Sequence, residues 1–212
     1  MRSKFHHEEI YRGQDLTEKL SAFKVVVCGA GAIGSNLVDN LVRQGMSSIS
    51  VIDKDRIESH NLNTQIWSES DIGGLKSDVL KNKVFRNIGI EIESIGKELT
   101  AANAKKFFKK ANLIVDAFDN SASRQLVQEK SREYKIACIH GGLHSDYGEV
   151  VWDEVYKVPK DVEGDVCDYP LARNIIMLTV SVLSEEIVGF CFGKEKRNFS
   201  ITLKDLKISA YK

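Results

Sequence analysis

A short apolar run that breaks into a glycine-rich loop is the feature that most constrains how this chain can fold. Residues Val25 to Gly34 read VVVCGAGAIG, the pattern of a buried strand followed by Gly29, Gly31 and Gly34. This spacing lets the backbone turn tightly, approach a ligand phosphate and enter a helix packed closely on the strand. The N-terminus of that helix offers unpaired N–H groups and the positive end of its dipole to an anion.

An acidic residue follows the loop at the separation expected for a ribose contact. A second apolar run, SISVIDKD, ends in Asp53 and Asp55. Asp53 comes about 20 residues after the last glycine, where a carboxylate can reach a ribose hydroxyl. The order of strand, glycine loop, helix, strand and acid therefore predicts an adenosine nucleotide site. It leaves open whether the nucleotide is NAD or ATP.

Composition limits the classes to which the protein can belong. The 212 residues include 30 Lys and Arg and 30 Asp and Glu, so no broad electrostatic field favours nucleic acid or an anionic membrane. We recognise no run near the roughly 18 apolar residues of a membrane span, and the N-terminus lacks the apolar core of a signal peptide. The 4 cysteines are scattered without a CxxC pair, which argues against a zinc site and favours a cytoplasmic protein.

The apolar patterning predicts alternating strands and helices. The main predicted elements are a lead-in helix within 1–22, strands at 24–28, 48–52 and 113–120, a helix at 33–44, an irregular loop at 153–170 and a long C-terminal helix at 171–192. Such alternation is typical of a Rossmann-like, doubly wound α/β fold with a mostly parallel sheet and helices on both faces. We expect one domain over 1–212.

Polar clusters follow three of the predicted strands. They are Gly29–Gly34, Asp53–Asp55 and Asp119–Asn120, the last of these at the end of LIVDAFDN. Ligands of such sheets bind beyond the carboxyl ends of the strands. We therefore expect the three clusters to meet at one edge of the sheet and to form one site.

Taken together, these clusters resemble the ThiF/MoeB/HesA superfamily, which has the adenylation fold of ubiquitin-activating enzymes. The stretch GAGAIGSNLVDNLVRQGMSSISVIDKDRIESHNLNTQ is similar to the family's glycine loop, acidic strand end and Asn-Leu-x-Arg-Gln segment. GGLKSDV resembles its Gly-x-x-Lys-x-x segment, and VDAFDN its Asp-x-x-Asp-Asn segment. The matches occur in the family's order over most of the chain.

The resemblance implies ATP and Mg2+ rather than NAD. It also implies adenylation of the C-terminal carboxylate of a small ubiquitin-like or sulfur-carrier protein, usually ending in Gly-Gly, with release of pyrophosphate, and it makes a homodimer plausible. Asp119 would lie near Mg2+ and the reacting phosphate, and Lys76 would face the phosphates. The other positions implied to contact the nucleotide are Gly29, Ala30, Gly31, Ile33, Gly34, Asp53, Asp55, Asn61, Gln65 and Asn120.

One departure from the family pattern bears on activity. Thr64 stands where the family segment has an arginine that grips phosphates, and losing such a cation should cost several kcal/mol of transition-state stabilisation. Arg56, Arg12 or an arginine from a second subunit are candidate replacements. Without a replacement the chain would be a slow or inactive homologue, holding a nucleotide or a ubiquitin-like protein without turnover. An NAD-dependent oxidoreductase is a third interpretation, which the glycine loop and Asp53 permit.

The cysteines and histidines leave further alternatives. Cys167 lies in DVEGDVCDYP, where family activators have a cysteine that accepts the activated acyl group. Cys167 is therefore either that acceptor nucleophile or a loop cysteine with no role. His140 and His144 flank the glycine pair of HGGLHSD, a pattern open to metal binding. We interpret it as a turn, because no third metal ligand is evident nearby.

Overall fold

The chain folds around one mixed sheet, which a computed structural model describes over residues 2–160 and 170–211. The strands in the described ranges are β1 (Val25–Cys28), β2 (Ile49–Ile52), β3 (Glu93–Ile95), β4 (Leu113–Asp116), β5 (Ala137–His144), β6 (Tyr147–Trp152), β7 (Asn198–Thr202) and β8 (Lys207–Tyr211). The α-helices there are α1 (His6–Arg12), α2 (Leu16–Ala22), α3 (Ala32–Arg43), α4 (Lys76–Ile88), α5 (Ala101–Phe107), α6 (Ser121–Tyr134) and α7 (Arg173–Cys191). The predicted Rossmann-like α/β fold is confirmed.

The strand order places a reversal in the middle of the parallel part of the sheet. The described strands are ordered β3-β2-β1-β4-β5-β6-β7-β8. The first five of these run parallel to one another, and β6, β7 and β8 continue the sheet in antiparallel pairs. The chain moves from β1 to β2 on one side and later returns to β4 on the other. A crevice at the carboxyl ends of β1 and β4 is therefore the expected ligand position.

Strand β1 is buried on both of its faces. Val25 and Val27 contribute to the apolar cluster that includes residues of α3 and α7, whereas Val26 and Cys28 contribute to the cluster of α5 and α6. Successive side chains of a strand point to opposite faces, so an unbroken apolar run is what a strand covered by helices on both sides requires. Complete burial of a side chain of this size contributes about 1.5–3 kcal/mol.

Helix α7 is the longest of the described helices, and it packs beside α3. The Asn40 amide nitrogen donates to the Ser184 hydroxyl at 2.8 Å across the two helices. By length and composition alone α7 could cross a membrane, with a mean hydropathy of 1.5, so the expectation that no run approaches a membrane span is wrong for this helix. Its packing against α3 and the sheet, with Ile175 and Leu183 fully buried, explains its apolar character in this fold.

The N-terminal segment differs from the predicted single helix. It forms α1 and α2, separated by Gly13, whose φ of +117° lies outside the helical region. A residue in that conformation ends a helix, and glycine adopts it at little cost. Two short helices therefore replace one.

The predicted Gly-Gly turn is also wrong. Gly141 and Gly142 lie inside β5, and the chain reverses after it, where Ser145 has a φ of +56°. A Cβ atom on Gly141 would lie 3.0 Å from Cδ1 of Ile33, in the first turn of α3. The glycine thus allows close approach of helix and strand, which is a packing role that resembles a turn signal in the sequence.

Candidate active site

The glycine loop has the backbone geometry that its sequence predicts. Gly29 follows β1 with a φ of +100°, and Gly31 is the N-cap residue of α3. A Cβ atom on Gly34 would lie 1.9 Å from the Gly29 carbonyl oxygen, so only glycine fits between the first turn of α3 and the loop. The N-terminus of α3 therefore opens directly at the carboxyl end of β1, where its N–H groups are available to an anion.

Asp53 fastens the end of β2 to this loop. One carboxylate oxygen accepts a hydrogen bond from the Ala30 N–H at 2.6 Å, and the other accepts from the Asp55 N–H at 2.8 Å. Burial raises the pKa of the Asp53 carboxyl, while these two donors and the Lys76 ammonium oppose the rise. Each oxygen of a carboxylate can accept a second hydrogen bond. Asp53 can thus hold the loop and still accept from a ribose hydroxyl.

Lys76 lies at the same edge of the sheet. It is the first residue of α4, its backbone N–H donates to the Asp55 carbonyl at 2.8 Å, and its ammonium lies 3.7 Å from an Asp55 carboxylate oxygen. The Lys76 side chain is 12% exposed and that of Asp55 is 59% exposed. The structure thus brings Asp53, Asp55 and Lys76 together from two elements.

Asn61 and Gln65 are both buried near the site, and each has its side-chain oxygen engaged. Asn61 Oδ1 accepts from the Glu58 N–H at 2.9 Å, and Gln65 Oε1 accepts from the Trp67 indole at 2.5 Å. Among the described residues neither amide nitrogen donates a hydrogen bond to a protein group. Both amides are therefore fixed in orientation and retain donors for an acceptor such as a phosphate oxygen.

Asp119 occupies the loop between β4 and α6. The residue is exposed, and its carboxylate accepts from the Asn120 amide at 3.3 Å. Asn120 caps α6 by accepting from the Ser123 N–H at 2.9 Å. A Cβ atom on Gly29 would lie 2.8 Å from the Ala117 carbonyl oxygen. The Asp119 loop and the glycine loop are therefore neighbours at the strand-order reversal.

Arg12 and Arg56 are the two arginines of this chain predicted above as replacements for the family arginine at position 64. The Arg12 guanidinium forms ion pairs with Glu8 at 2.7 Å and with Glu185 at 2.6 Å, so its charge is already neutralised by two carboxylates. Arg56 donates to the Gly73 carbonyl at 2.6 Å and is exposed. Cys167, the candidate acyl acceptor, lies outside the described residues.

Sequence analysis missed a buried polar network behind the Asp119 loop, formed by Asp116, Arg124, His140, Asp153 and Tyr156. Asp116, the last residue of β4, and His140, inside β5, are register partners, and both side chains are fully buried. Arg124 donates to the Tyr156 hydroxyl at 2.8 Å and lies 3.8 Å from Asp116. The second oxygen of Asp116 accepts from the Phe118 N–H at 3.2 Å, so the network anchors the loop that carries Asp119. The signal that could have found it is a polar residue directly after each of two apolar runs, Asp116 after LIV and His140 after ACI.

His140 is held in its charged form by this network. Its Nδ1 lies 2.9 Å from Asp116 and its Nε2 lies 3.3 Å from Asp153. Both ring nitrogens therefore face carboxylate oxygens, and only the imidazolium offers two donors. Burial lowers the pKa of His140, but the Cys138 sulfur and the two carboxylates together raise it to about 11. The Tyr156 ring stacks on the imidazole with centroids 3.7 Å apart.

The fold and the site define a Rossmann-like α/β domain with a glycine loop at the carboxyl end of β1, and comparison with known proteins gives its family. A family model described as "ThiF family" matches residues 6–167, and the chain belongs to that family. The chain is 30% identical to the SUMO-activating enzyme subunit 2 of Dictyostelium discoideum over an alignment of 153 residues, and that alignment covers 71% of this chain and 23% of that protein. It is 29% identical over 157 residues to the sulfur carrier protein ThiS adenylyltransferase of Bacillus subtilis (strain 168), which covers 70% and 46%. The chain thus spans less than half the length of either curated relative.

Solved structures share the whole of the described architecture. Escherichia coli MccB in complex with MccA-N7isoASN superposes with a TM-score of 0.83 at 19% identity, covering 100% of this chain and 72% of that one. E. coli MccB with ATP superposes with a TM-score of 0.80 at 20% identity, covering 99% and 71%. At such identities the likeness shows a common fold.

Proposed function

We propose that this protein is an ATP-dependent adenylyltransferase that activates the C-terminal carboxylate of a small ubiquitin-like or sulfur-carrier protein as an acyl-adenylate. The observation that carries the proposal is the convergence of the glycine loop, Asp53, Lys76 and the Asp119 loop at one edge of the sheet. The curated relatives support it, since one is named a ThiS adenylyltransferase and another a SUMO-activating enzyme subunit.

The proposed reaction needs charge stabilisation and positioning more than a side-chain nucleophile. The carrier carboxylate attacks the α-phosphorus of ATP, a new oxygen–phosphorus bond forms, and pyrophosphate leaves with the electrons of the broken bond. Negative charge is spread over phosphate oxygens in the transition state. The N–H groups of α3 and the Lys76 ammonium stabilise that charge, while Asp53 orients the ribose.

Asp119 has the chemistry of a magnesium ligand in this scheme. Its carboxylate is exposed at the edge of the site and accepts a hydrogen bond from Asn120. Mg2+ commonly binds one or two carboxylates together with substrate phosphates and water, so a single acidic side chain suits it. The ion would neutralise phosphate charge. No cluster of three His, Cys, Asp or Glu that could hold a metal occurs within the described residues.

Pyrophosphate exchange tests the proposal. Wild-type protein is mixed with ATP, Mg2+, labelled pyrophosphate and a panel of small carrier proteins ending in Gly-Gly. We expect exchange with at least one carrier and, with Asp119→Asn, a loss of about 100-fold or more. Glu133→Gln, in an exposed ion pair of α6, is the matched control and should retain exchange. Absence of exchange with every carrier, under conditions in which ATP binds, would contradict the proposal.

A second candidate is a binding module that holds ATP or a ubiquitin-like protein without turnover. Thr64 favours this candidate, because it stands where the family segment has an arginine that grips phosphates. Calorimetric binding of ATP without production of AMP or pyrophosphate would support this candidate. The NAD-dependent alternative is tested by a thermal-shift series, because a ligand at 100 times its Kd stabilises the protein by about 2.7 kcal/mol.

The proposal includes a cytoplasmic homodimer in which a second subunit can contribute to the site. Sedimentation velocity gives the oligomeric state, and a fully active monomer would refute a need for the second subunit. Cys167 is proposed as the acyl acceptor, whose thiolate attacks the acyl-adenylate to form a thioester and release AMP. Loss of a carrier–protein conjugate in Cys167→Ser, with pyrophosphate exchange intact, would identify it as the acceptor.

A further inference from the structure

Arg173, the first residue of α7, reaches the segment that contains Thr64. One terminal nitrogen of its guanidinium donates to the Asn63 carbonyl at 3.4 Å, and the other donates to the Asn36 side-chain oxygen at 3.5 Å. Asn36 in turn donates to the Thr64 carbonyl at 3.0 Å and to the Ala32 carbonyl at 2.7 Å. The Arg173 guanidinium therefore lies beside Thr64 and the second turn of α3.

Arg173 has no carboxylate partner among the described residues, unlike the cations Lys76 and Arg124. Within the described ranges no carboxylate lies at ion-pair distance from it, whereas Arg124 is paired with Asp116 and Lys76 with Asp55. Its two contacts are long bonds to neutral oxygens, and the residue is exposed. A guanidinium has five N–H donors and binds phosphate oxygens in a bidentate manner. Arg173 thus retains donors and charge for an anion.

The position of α7 directs this arginine towards the glycine-loop end of α3. The two helices are joined by the Asn40–Ser184 hydrogen bond, and Arg173 lies 11 residues before Ser184, at the N-terminus of α7. The phosphates of a nucleotide in the proposed site would lie at the N-terminus of α3. A cation extending from the start of α7 is therefore at the correct end of the crevice to meet them.

We propose that Arg173 contacts the β- and γ-phosphates of ATP and supplies the cation that Thr64 lacks. The inference rests on the proposed function, because it assumes that ATP is the ligand. Arg173 binds substrate in this scheme through charge-assisted hydrogen bonds, which are stronger than its present bonds to neutral oxygens. Its contribution should therefore depend on how many phosphates the nucleotide has.

The test compares nucleotides of different phosphate number by calorimetry, with Mg2+ present. Wild type, Arg173→Ala and Arg173→Lys are titrated with ATP and with AMP. We expect Arg173→Ala to weaken ATP binding by about tenfold or more and to change AMP binding by less than about twofold, with Arg173→Lys intermediate because a lysine keeps the charge without the fork. Arg43→Ala is the matched control, because Arg43 is an exposed arginine in the last turn of α3, paired with Asp39 at the end of that helix away from the glycine loop, and it should leave the affinities for ATP and AMP unchanged.

A relocation of the charge separates phosphate binding from a structural role. In Thr64→Arg combined with Arg173→Ala, we expect ATP affinity to return to within about threefold of wild type. A purely structural role would weaken AMP and ATP equally and would not be rescued by Thr64→Arg, and this outcome would overturn the inference. Unchanged ATP affinity in Arg173→Ala would overturn it while leaving the proposed function in place. Failure of wild type to bind any adenine nucleotide would overturn both.

Discussion

Replacing Asp116 with asparagine is the perturbation that tests the buried network most directly. The Asp116 carboxylate is fully buried, 2.9 Å from His140 and 3.8 Å from Arg124. Asparagine keeps the size of the side chain and an oxygen that can accept from Phe118, but it removes the charge. Two buried cationic groups then lose a shared counter-ion, which costs about 3–5 kcal/mol. That is a large part of the roughly 5–15 kcal/mol that stabilises a typical protein.

The same substitution should change how stability depends on pH. The pKa of His140 is raised from 6.5 to about 11 in the folded protein, so its proton stabilises the fold fully below about pH 6.5 and this stabilisation is lost as the pH rises towards 11. Without the Asp116 charge the pKa of His140 falls, so the His140 proton stabilises the variant less, and the variant loses less stability than wild type as the pH rises. The difference in unfolding free energy between wild type and variant should therefore narrow between about pH 7 and about pH 9.

Urea unfolding followed by tryptophan fluorescence measures both effects, since Trp67 and Trp152 are buried reporters at 6% and 2% exposure. Glu133→Gln is the control, because its partner Lys130 lies in an exposed pair and such pairs contribute about 0–1 kcal/mol. A loss below about 1 kcal/mol in Asp116→Asn, together with an unchanged pH dependence, would refute the charged assignment of His140.

Three other variants test separate features of the structure. Gly34→Ala places a Cβ atom 1.9 Å from the Gly29 carbonyl oxygen, so the glycine loop must move. Calorimetry should show ATP binding weakened by about tenfold or more, and wild-type affinity in this variant would contradict the loop geometry. Glu186→Gln removes the charge of a buried acid that accepts a hydrogen bond from the Arg197 guanidinium at 2.8 Å. Urea unfolding should show that the free energy of unfolding falls by about 1–3 kcal/mol, whereas a fall under about 0.5 kcal/mol would contradict a stabilising role for this pair. Burial raises the pKa of Asp153, but hydrogen bonds from His140 and neighbouring groups lower it to about 2. The stabilisation from that carboxylate should therefore be present above about pH 4 and lost as the pH falls towards 2. In Asp153→Asn the free energy of unfolding should depend less steeply on pH over this range, and an unchanged slope would contradict the lowered pKa of Asp153.

The local parts of the site were the most predictable from sequence. The strand, the glycine loop and the start of α3 form one continuous stretch, and the restrictions on Gly29 and Gly34 arise from atoms close to them in the chain or in the adjacent loop. Asp53 was predicted as a ribose ligand, a role that stays a prediction. Its hydrogen bond to Ala30 was not foreseen, because that bond depends on how β1 and β2 pair.

Non-local contacts account for what the sequence analysis missed. His140 was interpreted as part of a turn because no third metal ligand is evident nearby in the sequence, but Gly141 lies inside β5 and allows the close packing of Ile33 on that strand. The hairpin of β7 and β8 was not assigned at all, because β8 is an edge strand that is largely exposed. Such a strand has no buried face to impose an alternating pattern.

The sequence by itself determined the fold class, the family and the nucleotide-type loop, because short-range spacing of glycines, apolar residues and strand-end acids is sufficient to specify them. The tertiary structure alone decided which strand ends are neighbours, and hence that the Asp119 loop touches the glycine loop. It also decided that Asp116 and His140 form a buried charged pair and that Arg173 lies beside Thr64. Those contacts join residues far apart in the chain, and their distances depend on strand order and helix packing, which no local pattern encodes.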